Sequence, residues 1–117
     1  MLDPVTTQLD RYLTLISQRQ KLVASNIANA DTPGYQTQDF DFESQLHAAL
    51  QTPEGITPST PTATAVSGLR VKNDGNNIDL DREARLLAEN AMRFNMATNF
   101  LRSELKDLHS AIQGGNA

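Results

Sequence analysis

The chain changes character at residues 25–35, which read Ser25-Asn26-Ile27-Ala28-Asn29-Ala30-Asp31-Thr32-Pro33-Gly34-Tyr35. An apolar helical pattern ends within this stretch and a polar region begins. Asn26 and Asn29 lie three residues apart and therefore on one helix face. Pro33 disfavours the helical conformation at the residue before it, and Gly34 permits a positive φ. The stretch predicts a helix stop followed by a sharp turn, and no catalytic chemistry is needed to explain it.

The residues before this turn predict a long amphipathic helix, which we place at residues 1–32. Apolar side chains recur every seven positions, a spacing that keeps them on one helix face. The residues in this series are Leu2, Leu9, Ile16, Val23 and Ala30.

The last third of the chain predicts a second long helix with a heptad repeat, at residues 79–113. Asp79 is a suitable N-cap, and Gly114 and Gly115 stop the helix. Two apolar series repeat every seven residues for four heptads. The predicted packing residues of the two helices are Leu9, Ile16, Val23, Leu87, Phe94, Leu101, Leu105, Leu108 and Ile112.

The region between the helices, residues 33–78, predicts a turn, short strands and a flexible loop. Phe40 and Phe42 alternate with acidic residues as in a half-buried strand, and a short helix over 43–50 follows. Residues 51–68 contain three prolines and five threonines, a composition that cannot build a core, so we expect them to be the most mobile. Residues 69–71 predict a strand that turns at 73–75 into a small hairpin.

The apolar content of the helices predicts further partners. An antiparallel pair covers one stripe on each helix, which would leave a second set of large side chains in water. Full burial of each such side chain is worth about 1.5–3 kcal/mol. The second set comprises Leu15, Leu22, Leu86, Met92, Met96 and Phe100. We therefore predict a mainly α chain, one axial domain, whose terminal helices pair as a coiled coil within a multi-chain helical bundle.

The composition argues against most kinds of chemistry. The formal charge is −4 and no segment gathers basic residues, which argues against a nucleic-acid surface. The absence of cysteine excludes disulfides and thiol nucleophiles. The acidic alternations at residues 39–43 and 79–83 fit the wet face of a strand and a helix start, and His47 and His109 stand alone. We predict no catalytic site, cofactor, metal or small-molecule substrate.

No segment of the sequence predicts insertion into a membrane or cleavable secretion. No apolar run approaches the roughly 20 residues of a spanning helix. The amino terminus also lacks the basic-then-apolar pattern of a signal peptide. If the protein leaves the cytoplasm, we expect another export route.

Residues 20–35, Gln-Lys-Leu-Val-Ala-Ser-Asn-Ile-Ala-Asn-Ala-Asp-Thr-Pro-Gly-Tyr, resemble the amino-terminal signature of bacterial flagellar axial proteins, the rod, hook and hook-associated subunits. Two further features are most similar to the short proximal rod proteins of the flagellar basal-body rod family. One is Asp39-Phe40 close behind the motif, and the other is the entry into the second helix at residues 76–83. The resemblance is dense over residues 19–42 and looser over 73–113.

This resemblance implies a non-catalytic structural subunit of the flagellar basal-body rod, in the periplasmic space. Its helices would assemble into a helical array around an export channel. The implied partners are copies of itself, rod proteins of the FlgC, FlgF and FlgG types, the adaptor FliE, the inner-membrane ring protein FliF and the flagellar type III export apparatus. Two alternatives stay open: another short rod subunit of the FlgC type, and a small acidic helical export chaperone or adaptor.

The resemblance also assigns residues to assembly, and we expect the motif's asparagines to bond a neighbouring helix. The assembly motif comprises Ser25, Asn26, Ile27, Asn29, Asp31, Thr32, Pro33, Gly34 and Tyr35. Related export substrates often carry a Phe followed four residues later by an apolar residue, yet no Phe precedes Phe40. Leu9 with Leu13, or Tyr12 with Ile16, has that spacing, and these four residues are the candidate export contact.

Overall fold

Two long helices and a small middle region make up the computed structural model, which describes residues 4–115. The predicted helix start at residues 1–3, Leu2 included, lies outside this range. The elements in chain order are α1 Pro4–Ala28, β1 Gln38–Asp39, α2 Phe42–Gln51, β2 Thr64–Ala65 and α3 Leu80–Gly114. The prediction of a mainly α chain with long paired terminal helices and a small β-containing middle is confirmed.

The helices α1 and α3 lie antiparallel against each other. Asn26, near the end of α1, contacts Glu83 near the start of α3, while Gln20 contacts Asn90. The described chain is elongated, with principal extents of 70 × 25 × 17 Å. Because α3 has 35 residues and α1 has 25, the far end of α3 extends beyond α1.

The helix boundaries follow local capping. Asp79 caps α3 as expected, since its side chain accepts hydrogen bonds from the N–H groups of Asp81 and Arg82. The first helix is shorter than predicted, because the chain after Ala28 passes into successive tight turns. These turns place the backbone N–H of Tyr35 within 3.2 Å of the carbonyl oxygen of Thr32.

The apolar core lies between α1, α2 and the segment before α2. It consists of Leu15, Ile16, Phe40, Phe42 and Ala49, with Tyr12, Leu22 and Leu46 packed against it. The prediction of a strand running through Phe42 is wrong, because the Asp41 side chain accepts a bond from the Ser44 N–H and starts α2 at Phe42. The short helix predicted over 43–50 is present. Both phenylalanines are buried, but on a helix start rather than on one strand face.

The two strands pair across a long separation in sequence. Gln38 lies opposite Ala65 and Asp39 opposite Thr64, in antiparallel register. The predicted hairpin over 69–78 is wrong, since this described segment contains a turn but no strand. Its turn is closed by the Lys72 N–H, which donates to the carbonyl of Asn76 over 2.8 Å. The mobility of residues 51–68 stays a prediction.

We use the name heptad stripe for the two apolar series of α3 that repeat every seven residues. The face of α3 that packs on α1 is offset from this stripe. Against α1 it buries Glu83, Leu86, Asn90 and Ala97. The expectation that Leu15 and Leu86 would be left in water is wrong, because they are only 4% and 7% exposed. The exposed large apolar residues of α3 include Leu87, Met92, Phe94, Met96, Phe100, Leu105, Leu108 and Ile112. Packing of the stripe between chains therefore stays a prediction.

Candidate assembly site

Asn26, the first asparagine of the motif, is buried inside its own chain. Its Nδ2 donates to the carbonyl of Gln38 at 2.9 Å and to Oε1 of Glu83 at 2.8 Å. Its Oδ1 accepts from the backbone N–H of Gln38 at 3.1 Å. The side chain joins α1, β1 and α3, and it is only 1% exposed. The neighbouring helix that it bonds is α3 of the same chain, and a role of this residue in contacts between chains stays a prediction.

The other polar residues of the motif hold the turn that follows α1. Asn29 donates from Nδ2 to the Ser25 carbonyl at 2.8 Å, and its Oδ1 accepts from the Thr32 hydroxyl at 3.0 Å. The Ser25 and Tyr35 hydroxyls lie 3.3 Å apart. These bonds are local and lie near the surface, so they shape the corner without crossing to another element.

The outer side of the corner is exposed. Ile27, Asp31, Pro33 and Gly34 are all accessible to solvent, and Ile27 is 38% exposed. The motif therefore has two sides. Asn26 on the inner side holds the fold, while these four residues on the outer side are free to contact another chain.

Two asparagines that we did not predict, Asn76 and Asn77, close the corner from the far side of the chain. Asn76 donates from Nδ2 to the carbonyls of Asn29 and Thr32, at 2.9 and 2.8 Å. Asn77 accepts through Oδ1 from the N–H of Thr37 at 2.7 Å. Asn76 is completely buried and Asn77 nearly so. The turn after α1 and the segment before α3 are thus joined by side-chain amides.

Two glycines allow these segments to approach closely. Gly34 and Gly75 have φ of 77° and 86°, values that side chains rarely permit. The Gly34 N–H donates to the carbonyl of Asp74 at 2.9 Å. A Cβ placed on Gly75 would lie 3.3 Å from the Cα of Gly34. The turn predicted at 73–75 is therefore tied directly to the turn of the motif.

An ion-pair cluster lies beneath the corner. Asp39 Oδ2 accepts from Arg19 of α1 at 2.9 Å and from Arg82 of α3 at 2.7 Å. Arg82 also contacts Glu83 at 2.9 Å, and the Glu83 side chain is fully buried. Burial alone would raise the pKa of Asp39. Hydrogen bonds from Arg19, the Phe40 N–H and Arg82 outweigh this effect and hold the pKa below its ordinary value.

We use the name polar cluster for the side chains that join the end of α1 to the start of α3. They are Arg19, Asn26, Asn29, Asp39, Asn76, Asn77, Arg82 and Glu83. Asp39, which the sequence predicted on the wet face of a strand, and Glu83, which it predicted at a helix start, are both buried members of this cluster.

Arg11 anchors α2 and the loop after it to α1. Its guanidinium donates to four backbone carbonyls, and the side chain is 9% exposed. The acceptors are Ala49 at 2.9 Å, Thr52 at 2.6 Å, Pro53 at 3.1 Å and Ile56 at 3.1 Å. The cation therefore bonds carbonyls both at the end of α2 and in the loop that follows it.

The candidate export residues occupy the first half of α1. Leu9 and Leu13 are half-buried. Tyr12 meets Phe42 edge to face with ring centroids 6.0 Å apart, and Ile16 is only 2% exposed. The folded chain brings Tyr12 and Ile16 into the core, so a partner could reach both only after α2 has left α1.

An open groove runs between α1 and α3 on the side of the heptad stripe. It has a volume of about 430 Å³, and Ile16, Ala24, Ala91 and Phe94 are among the residues that line it. Phe94 also belongs to the exposed stripe. Phe94 therefore links the groove to the exposed stripe.

The described residues offer no obvious chemistry. Within residues 4–115, no three His, Asp or Glu side chains are grouped so that they could hold a metal ion. In the same range, neither long helix has the length of apolar sequence needed to cross a bilayer. What the arrangement does is fix a corner and present an apolar face.

Comparison with known proteins agrees with a structural role. The family described as "Flagella basal body rod protein" matches residues 13–36, which lie on α1 and the corner. The flagellar basal body rod protein FlgB of Salmonella typhimurium strain LT2 is 38% identical, over 89% of each chain. FlgB of Escherichia coli K12 is 33% identical over 99% of this chain and all of the relative. FlgB of Borrelia hermsii is 28% identical over 88% and 91%.

Proposed function

Because this chain belongs to the FlgB family of flagellar basal body rod proteins, we propose that α1 and α3 form part of the rod wall and that the far end of α3 packs against neighbouring chains. The chain is a structural subunit of the rod and not an enzyme, as its relatives are named. The single observation that carries the proposed contact is the apolar surface of α3, which the chain itself does not cover.

The distal half of α3, residues 98–114, carries part of this surface. Leu105, Leu108 and Ile112 are 45–58% exposed, on the stripe that continues from the groove. A contiguous apolar surface of this kind marks a protein contact. We propose that the distal stripe of one chain packs into the groove between α1 and α3 of the next chain. Such a contact joins two different parts of the molecule. Contacts between unlike surfaces repeat head to tail and build a helical assembly when the rotation does not close.

The partners of such a subunit are other basal-body components. We assign more specific neighbours by resemblance: further copies, the FlgC, FlgF and FlgG types, and FliE and FliF toward the inner membrane. The exposed outer side of the corner, Ile27 to Gly34, is the second surface available to them. The proposed location is the periplasmic part of the basal body, reached through the flagellar type III apparatus without a cleaved signal.

Alanine substitution in the stripe tests the assembly proposal. We expect Leu105→Ala/Leu108→Ala/Ile112→Ala to abolish swimming and to remove the chain from purified basal bodies, while secretion continues. The matched control is Lys106→Ala/Asp107→Ala/Ser110→Ala, whose exposed side chains lie on the same segment. We expect this control to assemble normally. Normal incorporation of the stripe variant would show that α3 contacts its neighbours elsewhere.

The export contact is tested separately. We propose that Leu9, Tyr12, Leu13 and Ile16 contact the export gate in the unfolded chain, since Ile16 is inaccessible and Tyr12 is partly buried when the chain is folded. Changing all four to Ala should reduce secretion of the chain into the medium. Unchanged secretion would place the contact in another segment. A control with Gln8→Ala and Lys21→Ala, both exposed on α1, should be secreted normally.

The alternative of an acidic export chaperone is not favoured by the relatives, which are rod proteins. Circular dichroism of the dilute chain at increasing concentration distinguishes the two. Helix content that rises with self-association fits a rod subunit. A concentration-independent, fully cooperative helix signal fits the chaperone.

A further inference from the structure

The apolar contacts between α1 and α3 do not by themselves define one register. Of the buried residues on the α3 face, only Leu86 and Ala97 are apolar, so few apolar contacts separate the native register from one shifted by a heptad. On α1, for example, Ile16 would take the position of Val23. Such a slip moves one helix along the other by about 10 Å, since each residue rises about 1.5 Å.

Two buried polar pairs do distinguish the registers. Asn26 Nδ2 donates to Glu83 Oε1 at 2.8 Å, and Asn90 Nδ2 donates to Gln20 Oε1 at 3.0 Å. Glu83 and Asn90 are 0% and 3% exposed, respectively. The pairs lie about one heptad apart along the interface, and their chemistry differs because only one contains a charge.

A slipped register leaves a buried polar group without a partner. In one direction Asn26 would face Asn90, and Gln20 would face Ala97, while Glu83 would pass beyond the end of α1. In the other direction Asn90 would face the apolar part of α1 near Leu13. Each slip therefore places one amide, that of Gln20 or that of Asn90, opposite an apolar side chain, where it loses its present partner at a cost in free energy.

We propose that the Asn26–Glu83 and Gln20–Asn90 pairs set the register of α1 against α3, and that the apolar contacts supply most of the attraction. Buried polar pairs add little net stability compared with apolar replacements, and specifying register is their best-established use. This inference deepens the proposed function and rests on it for its consequence. Every copy in a rod must present the distal half of α3 at the same height.

The register can be measured on the isolated full chain, independently of rod assembly. The chain has no cysteine, so Lys21→Cys and Lys106→Cys, both exposed, allow two spin labels to be attached. The test variant adds Gln20→Leu, Glu83→Leu and Asn90→Leu. It removes both interhelical pairs but leaves the bonds from Asn26 to Gln38 and from Arg82 to Asp39 in place.

We expect one label-to-label distance in the parent chain and at least two in the variant, separated by about 10 Å, with helix content retained. The control Leu86→Ala, which removes a buried apolar contact, should lower the urea midpoint and keep the single distance. A single native distance in the triple variant overturns the proposal. So does loss of helix in that variant, which would mean that the pairs supply stability, or a second distance in the control. Failure of rod assembly alone would bear on the proposed function.

Discussion

The two ends of α3 differ in which residues they bury and which they expose. Its first turns place Glu83 and Asn90 in the interior, each with a hydrogen-bond partner on α1. Its distal half leaves Leu105, Leu108 and Ile112 about half exposed. In most single-chain domains the charges are outside and these apolar residues inside. The chain therefore fixes its own shape with polar bonds, and the apolar surface that it leaves uncovered is the one we propose for contacts with other chains.

Among the proposed substitutions, removal of Glu83 in the first turn of α3 should lower the free energy of unfolding most. In Glu83→Ala, Asn26 and Arg82 each lose an acceptor, and the truncated side chain leaves a buried cavity that a leucine would fill. We expect the free energy of unfolding, measured with urea, to fall by about 3–5 kcal/mol. The matched change Asp107→Ala, exposed on the distal half, should stay within about 0.5 kcal/mol. Equal effects of the two changes would contradict the contrast between the ends.

The two asparagines of the motif should differ. Asn26→Ala removes three bonds, takes this partner from the Gln38 backbone groups and leaves Glu83 with Arg82 alone, so we expect a loss of about 2–3 kcal/mol. Asn29→Ala removes local bonds near the surface, and we expect about 1 kcal/mol. Urea unfolding of both variants measures the difference. A larger loss at Asn29 would mean that the surface turn, rather than the buried crossing, stabilises the corner.

Glycine substitution sharpens the same contrast. Gly75→Ala must adopt a positive φ and place its Cβ 3.3 Å from Gly34, so we expect a cost of about 1–2 kcal/mol or more. Gly114→Ala, in the last turn of α3 with open space around it, should be neutral or slightly stabilising. Thermal unfolding of the two variants gives the comparison. A neutral Gly75→Ala would show that the two turns can move apart freely.

Acid should weaken the contacts at the start of α3, where Asp39 bonds Arg82. Because folding lowers the pKa of Asp39, its stabilisation is complete above the ordinary value of 3.8 and is lost as pH falls below it. Unfolding free energies measured between pH 7 and acid should therefore decline below about pH 4. Asp39→Asn should show less of this decline, whereas Asp107→Asn should follow the parent chain. An unchanged acid profile in Asp39→Asn would exclude Asp39 as its source.

The smallest effect is expected at the distal end. Leu108→Ala removes a side chain that is 45% exposed in the chain and favours helix as well as leucine does. We expect the isolated chain to change by less than about 0.5 kcal/mol in urea. A loss comparable to that at Glu83 would show that the distal half is packed within the single chain, and would remove the basis of the contrast.

The two long helices could be predicted from the sequence because their apolar residues repeat at a regular spacing. Seven-residue repeats located α1 and α3, and Pro33-Gly34 located the turn. The face that α3 turns to α1 could not be read from apolar residues alone, because Glu83 and Asn90 occupy it. The entry into α3 was correct because it depends on local capping by Asp79, whereas α1 ends at Ala28, before the predicted bound of 32.

The rest of the site depends on partners far apart in sequence. Asn76 bonds carbonyls 44 and 47 residues away, and Arg11 bonds carbonyls 38 to 45 residues away. A backbone carbonyl carries no residue-specific signal, so nothing in the sequence marks these acceptors. The clue that was present is the pair Asn76-Asn77 directly after an Asp-Gly turn, since short amides beside a tight turn commonly bond backbone groups.

The anchorage of α2 by Arg11 has a consequence for the order in which the molecule comes apart. A guanidinium keeps its proton at any ordinary pH, and carbonyl oxygens do not titrate. The four bonds therefore persist in acid that protonates Asp39. Acid should first release α3 from α1, leaving α1 and α2 together as a two-helix remnant.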